Sequence, residues 1–117
     1  MSNMFNGCSS LKELNLSSFN TNNVIYMDCM FTGCSSLKEL NLSNFKTNNL
    51  IDIRKMFFDC SSLKRLNIHH FYTKNVVNMF EIFGGCVSLK NVDVGNSNEL
   101  KNEFNKIYRE NSFCIIS

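Results

Sequence analysis

The sequence lacks the features that mark membrane, secreted and nucleic-acid-binding proteins. No run approaches the roughly 18 apolar residues needed to cross a bilayer. The N-terminus, Met1 to Asn6, has neither a basic start nor an apolar stretch, so we expect no secretion signal and a chain that, as written, stays in the cytoplasm. The net charge of +2, from 12 basic and 10 acidic residues, gives no strong field, so we expect no nucleic acid partner.

Recognisable catalytic and metal-binding motifs are also missing. No cysteine, serine or carboxylate has partners at a spacing typical of a nucleophile or an acid–base pair. The six cysteines form no Cys-x-x-Cys pair, and without a secretory context they do not indicate a disulfide framework. His69 and His70 are adjacent and, on a strand, would point to opposite faces. We therefore predict no enzymatic activity, no metal and no cofactor.

What the sequence contains is one 26-residue unit written about four times, the first copy partial. The segment from Cys8 to Phe19 returns at 34–45, at 60–71 and more loosely at 86–97, always 26 residues later and without insertions. A lone unit of this length cannot bury its apolar side chains, so the units are expected to stack. The 117 residues, 44% of them hydrophobic, suit one domain.

Each unit contains a predicted strand. Leu14 and Leu16 flank Asn15, and this alternation of apolar and polar residues is strand periodicity. Because equivalent strands recur after one full unit, neighbouring strands should pair in parallel.

The second half of each unit predicts a helical or 3-10 turn. Val24, Met27 and Met30 recur at a spacing of three, with Asn23 before them as a plausible N-cap. The turn would be closed by a left-handed backbone position, because glycine or aspartate occupies one register in every unit. These residues are Gly7, Gly33, Asp59 and Gly85.

After Val94 the repeat stops and a helix is predicted. Asn96 would be the N-cap with Glu99 three residues on. An apolar stripe follows, formed by Leu100, Phe104, Ile107 and Tyr108. Such a helix would cover the last unit, so we divide the chain into a repeat region, 1–96, and a capping helix with its tail, 97–117.

The segment from Met30 to Leu42, read Met-Phe-Thr-Gly-Cys-Ser-Ser-Leu-Lys-Glu-Leu-Asn-Leu, resembles the BspA-like leucine-rich repeats of bacterial and protist surface proteins. The resemblance covers about residues 4 to 95. It implies an α/β repeat fold: a right-handed leucine-rich-repeat solenoid with a parallel sheet on its concave face and short helical turns on its convex face. It also implies adhesion or protein binding, and a place at the cell surface if the chain is a fragment of a longer protein.

The cysteines of the repeat are expected to form a column of buried free thiols: Cys8, Cys34, Cys60 and Cys86. Stacked with parallel Cβ vectors, they would lie roughly 4.8 Å apart, beyond the separation of about 3.5–4.5 Å that a disulfide needs. Cys29 and Cys114 fall outside this column.

The polar residues of the predicted strands should line the outward, concave face and form any binding site. They are Glu13, Asn15, Ser17, Glu39, Asn41, Ser43, Arg65, Asn67, His69, Asn91 and Asp93. One interpretation is a face that binds a protein partner; the other is a merely solvated side of a sheet. A structural alternative is an assembly unit, or a fragment of a longer repeat array, that self-associates through the N-terminal edge, which no predicted helix covers.

Overall fold

The sheet consists of three short parallel strands taken from equivalent positions of successive repeats. The computed structural model describes the backbone of residues 1–116 and the side chains of residues 1–107. The strands are β1 (Glu39–Asn41), β2 (Arg65–Asn67) and β3 (Asn91–Asp93), in the order β1-β2-β3. Leu40 pairs with Leu66, and Leu66 with Val92, so the register is one repeat per strand. The predicted parallel pairing is confirmed.

A second ladder of backbone hydrogen bonds joins the repeats away from the sheet. We number the repeats 1 (residues 1–26), 2 (27–52), 3 (53–78) and 4 (79–97). In repeats 1 to 3 every second amide of one segment donates to a carbonyl 25 residues later, at 2.7–3.1 Å. Repeat 1 donates from Asn3, Phe5 and Gly7, and equivalent residues of repeats 2 and 3 do the same.

This ladder corrects the predicted helical turns. An amide that bonds to the next repeat is not available for a helical bond within its own repeat, and the segments around residues 27–33 and 53–59 form successive turns instead. Asn23 caps no helix. Its equivalents Asn49 and Asn75 donate from their side chains to carbonyls of the preceding repeat.

The predicted fold class, a right-handed leucine-rich-repeat solenoid, is also wrong. The strands are three residues long, repeat 1 contributes none, and the described residues contain a single helix, at the C-terminus. The radius of gyration is 13.3 Å, close to the value of about 13 Å for a compact domain of this length. The fold is a small domain with a three-stranded parallel sheet and one helix.

The backbone turns sharply at two registers of each repeat. Gly7, Gly33, Asp59 and Gly85 all have positive φ, between 59° and 78°, which confirms the predicted left-handed position. A second register was missed by the sequence analysis: Asn3, Cys29, Lys55 and Glu81 have φ between 52° and 61°.

The core runs through all four repeats as columns of equivalent side chains. Four phenylalanines stack with ring centroids 5.6, 5.8 and 5.9 Å apart. They are Phe5, Phe31, Phe57 and Phe83. The predicted thiol column lies beside them: Cys34, Cys60 and Cys86 are buried and free, while Cys8 is half-buried. Cys114 lies outside the residues whose side chains are described.

Each buried thiol donates to a carbonyl of the preceding repeat. Cys34, Cys60 and Cys86 place Sγ 3.2, 3.2 and 2.9 Å from the carbonyl oxygens of Phe5, Phe31 and Phe57. Burial raises the pKa of Cys34 to about 11 and that of Cys86 to about 12, and it also raises the pKa of Cys60. The three buried thiols, those of Cys34, Cys60 and Cys86, are therefore protonated and hydrogen-bonded.

The C-terminal helix α1 (Asn98–Ile116) covers the last repeat, as predicted. Leu100 is fully buried, and the ring of Phe104 meets that of Phe83 edge-on at 6.3 Å. The N-cap is Ser97 and not Asn96, because Ser97 Oγ accepts from the amide of Leu100 at 3.2 Å. Tyr108, the last residue of the predicted apolar stripe, lies outside the described side chains. Nothing tests the division at residue 96, which stays a prediction.

Candidate binding face

The outward side of the sheet is polar because side chains alternate along each strand. Leu40 and Leu66 point inward and are 4% and 2% exposed, while their neighbours along the strands point to solvent. We call the outward residues of the strands the sheet face: Glu39, Asn41, Arg65, Asn67, Asn91 and Asp93. These six predicted site residues therefore lie together on one surface.

The other predicted site residues lie beyond the strands. Glu13 and Asn15 are exposed in repeat 1, which forms no strand. Ser17, Ser43 and His69 follow the strand register by two residues and lie at the start of turns. These residues lie outside the strands and are therefore not part of the sheet face.

The polar residue at the end of each strand register holds the following turn. Asn41 Oδ1 accepts the amide of Ser43 at 2.9 Å, and Asn67 Oδ1 accepts the amide of His69 at 3.0 Å. Asn15 and Asp93 do the same for the residues two positions on. Such Asx turns explain these residue types structurally, and they leave the amide NH₂ groups of Asn41 and Asn67 as donors at the surface.

Two of the three charged residues of the sheet face form an exposed ion pair. Arg65 donates from Nη1 to Glu39 Oε1 on the neighbouring strand. The two side chains are 66% and 64% exposed, so water screens their attraction and the pair contributes little stability. The guanidinium can therefore leave Glu39 for another carboxylate at small cost.

A histidine and a carboxylate close the C-terminal side of this surface. His69 Nδ1 lies 2.8 Å from Asp93 Oδ1. Hydrogen bonds from His69 and from the amide of Gly95 hold the pKa of Asp93 below its usual value. His69 and His70 lie in a turn, with ring centroids 4.8 Å apart. The prediction that they point to opposite faces of a strand is thus wrong.

Two open depressions lie on this side of the molecule. One, of about 490 Å³, is lined by residues of all three strands together with Lys90 and Phe104. The other, of about 810 Å³, lies between repeat 1 and β1, with Lys12, Glu13 and Lys38 in its wall. The sequence analysis did not include Lys90 and Phe104 among the site residues. Lysine recurs at this position in every repeat and so does not single out Lys90, and Phe104 belongs to an apolar helix stripe that indicates packing.

The described residues show neither a metal cluster nor a membrane span. No group of three or more histidine, cysteine, aspartate or glutamate side chains among them is arranged to hold a metal ion. Within the same part of the chain, no helix has the length and apolar content required to cross a bilayer.

One comparison with known proteins identifies a family. The family model described as "Mycoplasma protein of unknown function, DUF285" matches residues 1–113. The expected membership of the BspA-like leucine-rich-repeat family is corrected by this match. No curated protein matches the chain, and no solved structure matches it either.

Proposed function

Since the chain belongs to the family described as Mycoplasma protein of unknown function, DUF285, whose description names no activity, we propose from its geometry that it is a protein-binding module. The binding surface is the sheet face with the adjoining Lys90 and Phe104. The observation that carries the proposal is the open depression of about 490 Å³, which is lined by polar residues of three strands and by one aromatic residue, Phe104.

The rigidity of this surface supports binding. The strands are paired by backbone hydrogen bonds, and the Asx turns fix Asn41 and Asn67, so a partner meets a preformed pattern of donors and acceptors. Little conformational entropy is then lost on association.

Arg65 is the residue that we expect to contribute most to binding. Arginine is enriched among residues that dominate interface energies, and its planar guanidinium binds a carboxylate in a bidentate way. Its present partner, Glu39, is as exposed as Arg65 itself. An acidic group on the partner is the natural substitute.

The test is a pull-down from source cells, followed by affinity measurement with each purified candidate partner. We expect Arg65→Glu to weaken binding at least tenfold, which corresponds to about 1.4 kcal/mol. The matched control is Lys74→Glu, a charge reversal at an exposed residue outside the sheet face, which should leave affinity unchanged. If the partners bind the Arg65→Glu and Asn91→Asp variants as tightly as the native chain, the sheet face is excluded as the binding surface.

Self-association through repeat 1 is a second candidate function. It is favoured by the backbone of repeat 1, where the carbonyls of Ser2, Met4 and Asn6 accept no hydrogen bond from the described residues. Met4 is 49% exposed and Phe5 is only partly buried. An edge with unpaired polar groups and accessible apolar side chains is a template for another chain.

A further inference from the structure

The open edge of repeat 1 has a defined hydrogen-bonding polarity. Asp28, Met30 and Thr32 accept, through their carbonyls, the amides of repeat 1, and each later repeat accepts in the same way. The carbonyls at these registers in repeat 1 belong to Ser2, Met4 and Asn6, and these residues are exposed. The edge therefore needs a segment that offers amide donors at every second residue.

The molecule carries such donors at its other end. Glu81, Phe83 and Gly85 occupy in repeat 4 the registers from which Asn3, Phe5 and Gly7 donate in repeat 1. Within the described part of the chain, the amides of these three residues of repeat 4 have no backbone acceptor. Donor row and acceptor row have the same spacing, because both belong to the same repeat.

The apolar residues of the two ends also match. Phe5, Leu11 and Leu14 of repeat 1 are partly buried and pack against the core. Their equivalents in repeat 4 are Phe83, Leu89 and Val92. Stacking repeat 4 on repeat 1 would continue the phenylalanine column at the spacing of 5.6–5.9 Å that it has within the molecule.

Helix α1 lies across the donor end. Leu100 is fully buried there, and Phe104 contacts Phe83 edge-on. While α1 is in place, Phe83 cannot stack on the Phe5 of another molecule. Contact between two N-terminal edges is disfavoured as well, because it would set carbonyl rows against each other.

We propose that repeat 1 accepts repeat 4 of a second copy of this chain, head to tail, and that α1 prevents this contact while it covers repeat 4. The proposal rests on the second candidate function. It adds that the partner is a second copy of the chain, that the orientation is head to tail, and that α1 regulates the contact. A contact between two different ends of the same molecule is heterologous and does not close on itself, so its product is a linear chain of molecules.

The experiment compares the full native chain with a full-length variant, Leu100→Asp with Phe104→Asp, in which charges release α1 from the core. In sedimentation over a range of concentrations, we expect the native chain to be a monomer. The variant, with its fold checked by circular dichroism, should form species larger than dimers whose mass increases with concentration. Added native chain should shorten them, because it offers repeat 1 but not repeat 4.

Two further substitutions in the released variant test the contact itself. Phe5→Asp should return it to a monomer, whereas Val77→Asp, at a residue 82% exposed in repeat 3, should leave assembly unchanged. A folded released variant that stays monomeric overturns the proposal. If the native chain already assembles, and Phe5→Asp abolishes this assembly, the second candidate function is supported. Regulation of the contact by α1 is then overturned.

A fusion tests the acceptor edge if the released variant does not fold. A second copy of residues 27–52 is placed in register before Met1, so that the added Cys29, Phe31 and Gly33 face the free carbonyls. We expect their amides to exchange on the order of tenfold more slowly than in the same fusion with Phe31→Asp in the added copy. Equal exchange rates in both fusions would overturn the proposal.

Discussion

At the scale of single residues, two registers of left-handed backbone differ in how well the sequence indicates them. Gly7, Gly33 and Gly85 mark one register by residue type. The other register contains Asn3, Cys29, Lys55 and Glu81, which share no chemistry and mostly avoid positive φ. The amides of Asn3, Cys29 and Lys55 donate to the next repeat, whereas the amide of Glu81, in the same conformation, has no backbone acceptor among the described residues. The register is thus set by the position in the repeat and leaves no signal in the residue that adopts it.

The glycine register gives a matched pair of substitutions. Gly85→Ala should cost clearly more stability than Gly7→Ala. Both have positive φ, of 74° and 78°, but a Cβ at Gly85 would meet Asp59, with the Cα of Asp59 3.2 Å away, while nothing lies within 4 Å at Gly7. We expect about 1–2 kcal/mol for Gly7→Ala from backbone strain alone, and more for Gly85→Ala. Urea denaturation measures the stability of both variants. Equal losses of stability would contradict the predicted clash between the new Cβ at residue 85 and Asp59.

At the scale of elements, identical sequences have different structures. Glu13-Leu14-Asn15 and Glu39-Leu40-Asn41 are the same tripeptide, yet the second forms β1 and the first forms no strand. Strand formation depends on pairing and burial more than on intrinsic preference. The repeat pattern thus predicted the parallel register but could not predict how many repeats form strands.

The helix was predicted in place, with an error of one residue at its cap. Asn96 and Ser97 are both common N-cap residues, and Glu99 favoured the former. Ser97 is 8% exposed and its hydroxyl also meets Thr73 Oγ1 at 2.8 Å. This contact with a threonine of repeat 3 decides the cap, and sequence spacing does not indicate it.

The cap gives a second matched pair. Ser97→Ala should destabilise the protein by about 1–2 kcal/mol, because the amide of Leu100 and the hydroxyl of Thr73 both lose a partner. Asn96→Ala, at the neighbouring residue, should change stability by less than about 0.5 kcal/mol. Thermal and urea unfolding test this, and a larger loss at Asn96 would reassign the cap.

At the scale of the whole molecule, the thiol column couples stability to alkaline pH. Burial raises the pKa of Cys34, Cys60 and Cys86 above 9.0, the ordinary value of a cysteine thiol. Because the pKa is raised in the folded state, the contribution of the buried thiols to stability is complete below about pH 9. It is lost as the pH rises toward the pKa of the folded state. The folded protein should therefore lose stability as the pH rises above about 9.

Cys60→Ala isolates this effect, because it removes one titrating thiol while other groups titrate equally in both proteins. The native chain should be more stable than the variant at pH 8, through packing and the hydrogen bond to Phe31. The difference should narrow by about 2 kcal/mol at pH 10.5, as the thiol ionises in the unfolded native chain. Urea midpoints at both pH values measure it; a constant difference would contradict the prediction.

The whole-molecule interpretation was correct in its register and wrong in its architecture. The 26-residue offset predicted the column of cysteines and the parallel register that pairs Leu40 with Leu66, because equivalent residues repeat without insertion. It did not predict the segments that join the strands, since their apolar spacing of three and four fits both a helix and a chain of turns. For the sheet face, alternation predicted which residues point outward, but not that Asn41 and Asn67 hold turns.

The bonds of the second ladder run from main chain to main chain, so they depend on residue count and hardly on side-chain chemistry. Asparagine, cysteine, lysine and glutamate all occur at one left-handed register. In the same segments, the gain or loss of one residue would place carbonyl groups where the ladder needs amide groups. At this register the side chain can thus vary while the length of the segment stays fixed.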